Sequence, residues 1–199
     1  MPGLMDLLGG ALGGDLQQQI AGRIGANPQQ AGSAIQAALP MLLAGLNHKA
    51  SQPGGAEQIH EAATTKHDGS ELDDPAATAA QAADSGQGAA VAGNVLGQHQ
   101  EMAHQAVAQA SGIDAGQAAM VMSMLAPLVM AALSRVQQQQ GLNAGGLANL
   151  LHGEHANAAQ QQPELMGLAG ELFGAAGGPG GTDLGGLMKG LGGMFGGRG

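Results

Sequence analysis

The sequence predicts an all-α protein in which duplicated helix-turn-helix-like units form one compact helical domain, followed by a low-complexity C-terminal tail. Three observations predict it. Apolar residues recur at helical spacing in two long segments. Those segments match each other at one fixed offset, given by Pro40 and Pro127 as 127 − 40 = 87. Each is introduced by a glycine and a helix-start signal. At the same offset Gly25 meets Gly112, Ala31 meets Ala118, Leu46 meets Leu133, Gln18 meets Gln105 and Ala21 meets Ala108. Ile20 meets Val107, Ile35 meets Met122 and Leu42 meets Val129, so the apolar character is kept where the residue changes.

The domain spans residues 1–136, with units at about 15–47 and 102–134 and an acidic linker at 48–96. In each unit a first helix ends at Gly25 or Gly112, because glycine accepts the left-handed conformation common just past a helix C-terminus. Asn27 and Asp114 suit N-cap positions and Pro28 suits a first helical turn. Gln30 and Gln117, three residues after those caps, complete capping boxes. The second helix carries Ala31, Ala34, Ile35, Ala38, Leu42 and Leu46, or Ala118, Val121, Met122, Leu125, Val129 and Leu133. Met41, Leu43, Met124 and Met130 fill other faces. Helices that are apolar nearly all round belong in the interior, so these two are expected at the centre. Pro40 and Pro127 are expected to kink or split them.

In the linker, Pro53, Gly54, Gly55, Gly69 and Pro75 mark short helices joined by turns. Residues 137–199 are expected to form a Gln/Gly-rich, largely disordered tail with short amphipathic cassettes at 142–151, 165–173 and 184–195. In the last of these, Leu184, Leu187, Met188, Leu191, Met194 and Phe195 fall on one helical face. Glycine fills most of the other face, and each costs about 1 kcal/mol against Ala in a helix interior. Order upon contact is therefore expected of it. Gly186-Leu187-Met188 with Leu191-Gly192-Gly193 repeats the layout of Gly3-Leu4-Met5 with Leu8-Gly9-Gly10, giving both ends a similar adhesive segment.

Composition narrows the function classes. A net charge of −9 with six Lys and Arg disfavours nucleic acids and anionic membranes, whose binding rests on cations. The chain has no cysteine, so disulfides and thiolate metal sites are excluded. Residues 1–12 carry Asp6 and no Lys or Arg, unlike the start of a secretory signal, and a cytoplasmic protein is expected. The uncharged run Ala115–Ser134 has the length of a membrane span, but Gln117, Pro127 and its alanines favour a buried core helix. Hydrophobic residues make up 44%, yet there are two Phe and no Tyr or Trp, so the core is built from small and aliphatic groups. At roughly 25 cal/mol per Å² such groups stabilise modestly, and marginal stability is expected.

Several clusters carry candidate chemistry. Glu57-x-x-His60 and Glu101-x-x-His104 have the spacing of carboxylate-bridged di-iron bundles, which place both ligands on one helix face. Such a centre needs two further carboxylates on long helices, and Pro53, Gly69 and Pro75 leave little room for them. His99 and His104 are five residues apart, whereas a zinc-protease helix needs four. His152-Gly153-Glu154-His155 could chelate a metal, but Gly153 among glutamines points to an exposed loop. His67-Asp68-Gly69-Ser70 with Asp73 and Asp74 has the look of a calcium loop, but that register puts Thr64, Lys66 and Pro75 at ligand positions. A turn followed by an acidic helix start is the plainer reading. The glycines of 177–186 lack the Gly-Lys-Ser/Thr ending of a phosphate loop. Ile20, Ala21, Ile24, Gly25, Ala31 and Ala34 have the spacing of a DNA-binding helix-turn-helix, as do Val107, Ala108, Gly112, Ala118 and Val121. Gln29, Gln30, Gly32 and Ser33 could touch bases, but Arg23 is the lone cation nearby.

Four segments carry a family resemblance. They are Leu4-Met5-Asp6-Leu7-Leu8, the stretch Ala38-Leu39-Pro40-Met41-Leu42-Leu43, His67-Asp68-Gly69-Ser70 followed by Leu72-Asp73-Asp74, and Leu125-Ala126-Pro127-Leu128-Val129-Met130. Through them residues 1–136 resemble the bacterial family of domain of unknown function 937. The resemblance implies a helical domain of no established activity, with relatives compared to homeodomain-like folds, and transfers no functional residue. The expected function is a non-catalytic structural or interaction protein, a helical scaffold whose Gly/Leu/Met tail binds itself or another protein. The alternatives are a DNA-binding-type helix-turn-helix module and a metal-binding helical protein. No catalytic residue, cofactor or metal ligand is expected, and neither a nucleic-acid partner nor a membrane span.

Overall fold

Local signals at two turns set where the long helices begin. A computed structural model describes residues 3–174, and they form helices with no strand among them. α1 (Leu4–Ala11) is followed by α2 (Gly14–Ile24), which ends at Gly25 with φ 68°. α3 (Pro28–Ala50) starts from a capping box. The Asn27 side chain accepts from Gln30 N at 2.8 Å, and Asn27 N donates to Gln30 Oε1 at 3.3 Å. Further along, α7 (Gln100–Ser111) ends at Gly112 with φ 69°, and α8 (Ala115–Gln140) starts from Asp114. Its capping box has Gln117 N donating to Asp114 Oδ1 at 2.8 Å and Asp114 N donating to Gln117 Oε1 at 2.9 Å. The caps expected from the sequence are in place, including Pro28 in the first turn of α3.

The same two glutamines also join the two helix pairs. Gln30 Nε2 donates to Gly112 O, and Gln117 Nε2 donates to Ile24 O, each at 2.7 Å. Each side chain therefore satisfies a donor at the start of its own helix and an otherwise orphaned carbonyl at the end of the opposite pair's first helix.

Between the pairs, the linker forms α4 (Gly55–Thr65), a 3₁₀ turn at Ser70–Leu72, α5 (Pro75–Ser85), α6 (Gln87–Leu96) and a second 3₁₀ turn at Gly97–His99. This matches the short helices and turns expected there. α3 and α8 lie against each other at the centre, with α7 against both. α5, α6 and α1 cover α8, and α2 covers α3. Ala37–Leu46 of α3 and Val121–Ser134 of α8 are buried continuously, as expected of helices apolar on all faces. α8 has the length and apolarity to cross a membrane, but 83% of its apolar window is buried inside the protein, the situation of a core helix.

The prolines do not split these helices, since α3 and α8 run through Pro40 and Pro127. Pro127 has no N–H, which removes the usual intrahelical donor to the carbonyl of Ser123. α6 approaches at that point. A Cβ on Gly88 would stand 2.0 Å from Ser123 O, so only glycine permits this contact.

The chain beyond 136 corrects the sequence reading. Residues 137–174, expected as part of a largely disordered tail, continue α8 to Gln140 and then form α9 (Ala144–Gln161) and α10 (Pro163–Gly174). Asn143 caps α9 by accepting from Gly146 N at 2.9 Å. Leu147 and Leu151 are fully buried, and Met166, Ala169, Leu172 and Phe173 are buried as well. Both helices pack on α3. The Gln and Ala that gave this stretch its low complexity are good helix formers. The cassettes 142–151 and 165–173 supply apolar faces that α3 covers. The third cassette, 184–195, lies outside the described residues.

Two predictions follow from this packing. Gly88→Ala forces α6 away from α8 and is expected to lower stability by about 1–3 kcal/mol, read as a drop in the urea midpoint with an unchanged slope. Gln30→Ala and Gln117→Ala are each expected to cost about 1 kcal/mol. Their double-mutant cycle should be non-additive, and strict additivity would show that the two bonds do not act as one clamp.

Candidate functional site

The polar side chains that could perform chemistry are placed one by one by the helices that carry them. Glu57 and His60 lie on α4, and Glu101 and His104 on α7. Both glutamates are exposed, while His60 Nδ1 is hydrogen-bonded to Gln137 Nε2 at 2.5 Å. His104 is half-buried, and burial lowers its pKa against the opposing pull of Glu101. Among the described residues no three His, Asp or Glu side chains converge as a metal ion would require.

His99 is buried where the second 3₁₀ turn meets α7. Its ring stands 5.7 Å from His48 and 5.1 Å from Phe173, both edge-on, so three rings pack where α3, α7 and α10 meet. Burial first, and then the neighbouring His48, hold its pKa below the usual histidine value. The ring packs against these neighbours, and both of its nitrogens are buried without a hydrogen-bond partner.

The His67–Asp74 stretch turns its carboxylates onto itself. Asp68 Oδ1 accepts from Ser70 Oγ at 2.6 Å and from Ser70 N at 2.9 Å, and these two bonds lower its pKa. Glu71 takes His67 Nδ1 at 2.7 Å and Gly69 N at 3.1 Å. Asp74 caps α5 by accepting from Ala77 N at 3.0 Å, and Asp73 pairs with Arg135. The stretch is a self-satisfied turn and helix start, with Thr64 and Lys66 exposed beside it. Gly69 has φ 89°, and a side chain there would meet Arg135.

The helix-turn-helix face is likewise occupied. Gln29 and Ser33 are exposed, but Gln30 is engaged with Gly112 and the face at Gly32 meets Gln17. Arg23 forks onto Asp84 at 2.6 and 2.9 Å, which raises the guanidinium pKa and lowers that of the carboxyl. α3 presents little of its length to solvent after Gln36.

His152, Glu154 and His155 differ from the expected exposed loop, because they lie within α9. Their side chains diverge. His152 is exposed and bonds Asn47 Oδ1 through Nδ1 at 2.8 Å, while burial and then His152 lower the pKa of His155. Glu154 is buried, and its Oε1 accepts from Leu4 N, the first residue of α1, at 3.1 Å. A carboxylate there answers the unpaired N–H groups and positive end of a helix N-terminus. Leu147, Leu151, Glu154 and Ala158 follow one helical stripe, a signal that the glycine at 153 obscured.

α1 thus sits in a defined seat. Leu4 and Leu8, one turn apart, are 0% and 1% exposed, and α1 packs on α8. A cleft of about 470 Å³ flanks it, floored by Leu7, Leu16 and Leu72 and rimmed by Asp15, Asp73 and Asp74. The phosphate-loop comparison at 177–186 falls outside the described residues.

No curated protein and no solved structure matches this chain. The family model described as bacterial protein of unknown function (DUF937) matches residues 6–137, which take in most of α1, α2, α3, the linker helices, α7 and nearly all of α8, and leave out α9 and α10. The chain belongs to this bacterial DUF937 family.

Proposed function

We propose that this protein is a non-catalytic cytoplasmic scaffold, and that its Gly/Leu/Met tail associates with itself or with a partner protein. The observation that carries the reading is the commitment of most of the charged candidate groups, while the buried ring nitrogens of His99 and the buried Nε2 of His104 lie apart from them without a hydrogen-bond partner. Asp68, Glu71, Asp74 and Glu154 satisfy backbone N–H groups, Arg23 and Arg135 are paired, and His99 packs among rings. A catalytic centre needs a nucleophile or acid and a base within reach of one reacting atom. These groups are instead distributed over separate helices and turns, each engaged with its own partner. The interior is filled by α3 and α8, whose matched caps and reciprocal glutamine bonds support reading 15–47 and 102–134 as two copies of one unit. What remains for contact is surface and tail. Leu184, Leu187, Met188, Leu191, Met194 and Phe195 supply adaptable apolar side chains at helical spacing in the sequence.

Light scattering tests this. The full chain is expected to run heavier than a monomer, and the full-length double variant Leu187→Asp/Leu191→Asp to run as one. Equal monomeric masses would remove self-association, and equal recovery of host proteins by both in pull-downs would remove the partner role too.

A further inference from the structure

The two ends of the chain carry nearly the same segment. Gly3-Leu4-Met5, Leu8-Gly9-Gly10 and Gly13-Gly14 recur as Gly186-Leu187-Met188, Leu191-Gly192-Gly193 and Gly196-Gly197, all at the offset 186 − 3 = 183. The structure states what the first copy does. It buries Leu4 and Leu8 in a seat on α8 and offers the Leu4 N–H to the buried Glu154. We propose that this seat is a docking site for residues 186–197 of the same chain type, which compete with α1 for it. The inference deepens the tail-association reading and rests on it by giving the tail a receiving surface.

The features that the seat reads are repeated in the tail. Leu187 and Leu191 are spaced four apart like Leu4 and Leu8, so in a helix both reach one face. The N–H of Leu187 can replace that of Leu4 at Glu154, which keeps the buried carboxylate satisfied during exchange. The differing apolar positions lie outside the fully buried pair. Leu7, Ala11 and Leu12 are only half-buried, and Gly190, Met194 and Phe195 stand in their places.

Charge then separates the copies. Asp6 and Asp15 of the first segment correspond to Lys189 and Arg198 of the second. The flanking cleft is also lined by Asp73 and Asp74, which lie outside the segment, with Arg135 paired to Asp73. A cationic segment is drawn to such a rim more than an acidic one, and salt weakens the preference. Reach is not limiting. The residues between Gly174 and Gly186 span up to roughly 40 Å when extended, about the width of a domain of this size. Delivered by a second copy, the segment links the two chains head to tail, a heterologous contact that can propagate.

Hydrogen exchange read by mass spectrometry on the residue 3–12 peptide tests the competition in the full chain. Displacement by the tail leaves α1 open part of the time, so α1 should exchange at least about threefold faster in the native chain than in full-length Leu187→Asp/Leu191→Asp. A synthetic peptide of residues 184–199 added to that variant should restore fast exchange. The same peptide carrying Lys189→Asp and Arg198→Asp should need a severalfold higher concentration at low salt. Equal α1 exchange in the native chain and the variant, with no response to peptide, would overturn the proposal. If the variant also loses the association seen by light scattering, the tail binds elsewhere, and only the seat assignment fails.

Discussion

Gln30 and Gln117 hold the centre of the molecule in register. Each occupies the third position of a central helix, where its oxygen closes a capping box and its nitrogen reaches a carbonyl at the end of the opposite pair's first helix. The bonds are short and reciprocal, so the start of α3 is referenced to the end of α7 and the start of α8 to the end of α2. A slide of either long helix breaks its cross-link, while its local capping box moves with it. Because α3 and α8 carry the other helices on their flanks, the positions of those helices inherit this register.

Small residues make such close packing possible and also limit its strength. Gly88 meets the carbonyl of Ser123 where Pro127 has removed the ordinary intrahelical donor. α6 therefore lies close to α8 at the point where α8 has backbone to spare. With few aromatic side chains available, the core is filled by leucines, isoleucines and methionines on α3, α8 and the helices around them. α9 and α10 are among those helices. They cover α3 outside the family-matched region, and Phe173 joins His48 and His99 at their edge.

Several carboxylates among the described residues serve helix ends and turns. Carboxylates accept from backbone N–H groups at the 68–71 turn, at the start of α5 and at the start of α1. The last case differs in kind, because the carboxylate is buried and belongs to a helix far along the chain. α1 is held by two leucines, one buried acceptor and partial contacts around them. α1 is short, and its hold combines these few groups with the partly buried Met5, Leu7 and Leu12.

The elements legible in the sequence were those whose cause is local. Gly25 and Gly112, the Asn27 and Asp114 caps, and the apolar period of α3 and α8 involve residues within about one turn of each other, where backbone geometry decides. The all-α class and the central placement of the two long helices followed from these. The reach of the two glutamine amides did not, because their partners lie 82 and 93 residues away. Nor did the burial of Glu154, whose partner is 150 residues distant. The Gln- and Gly-rich stretch after 136 read as tail because its helices are weak alone, and they form where α3 offers an apolar face. Periodicity and caps state which segments can be helices; only packing decides which helices persist, and which polar group ends in the interior, because burial is a property of the partner as much as of the residue.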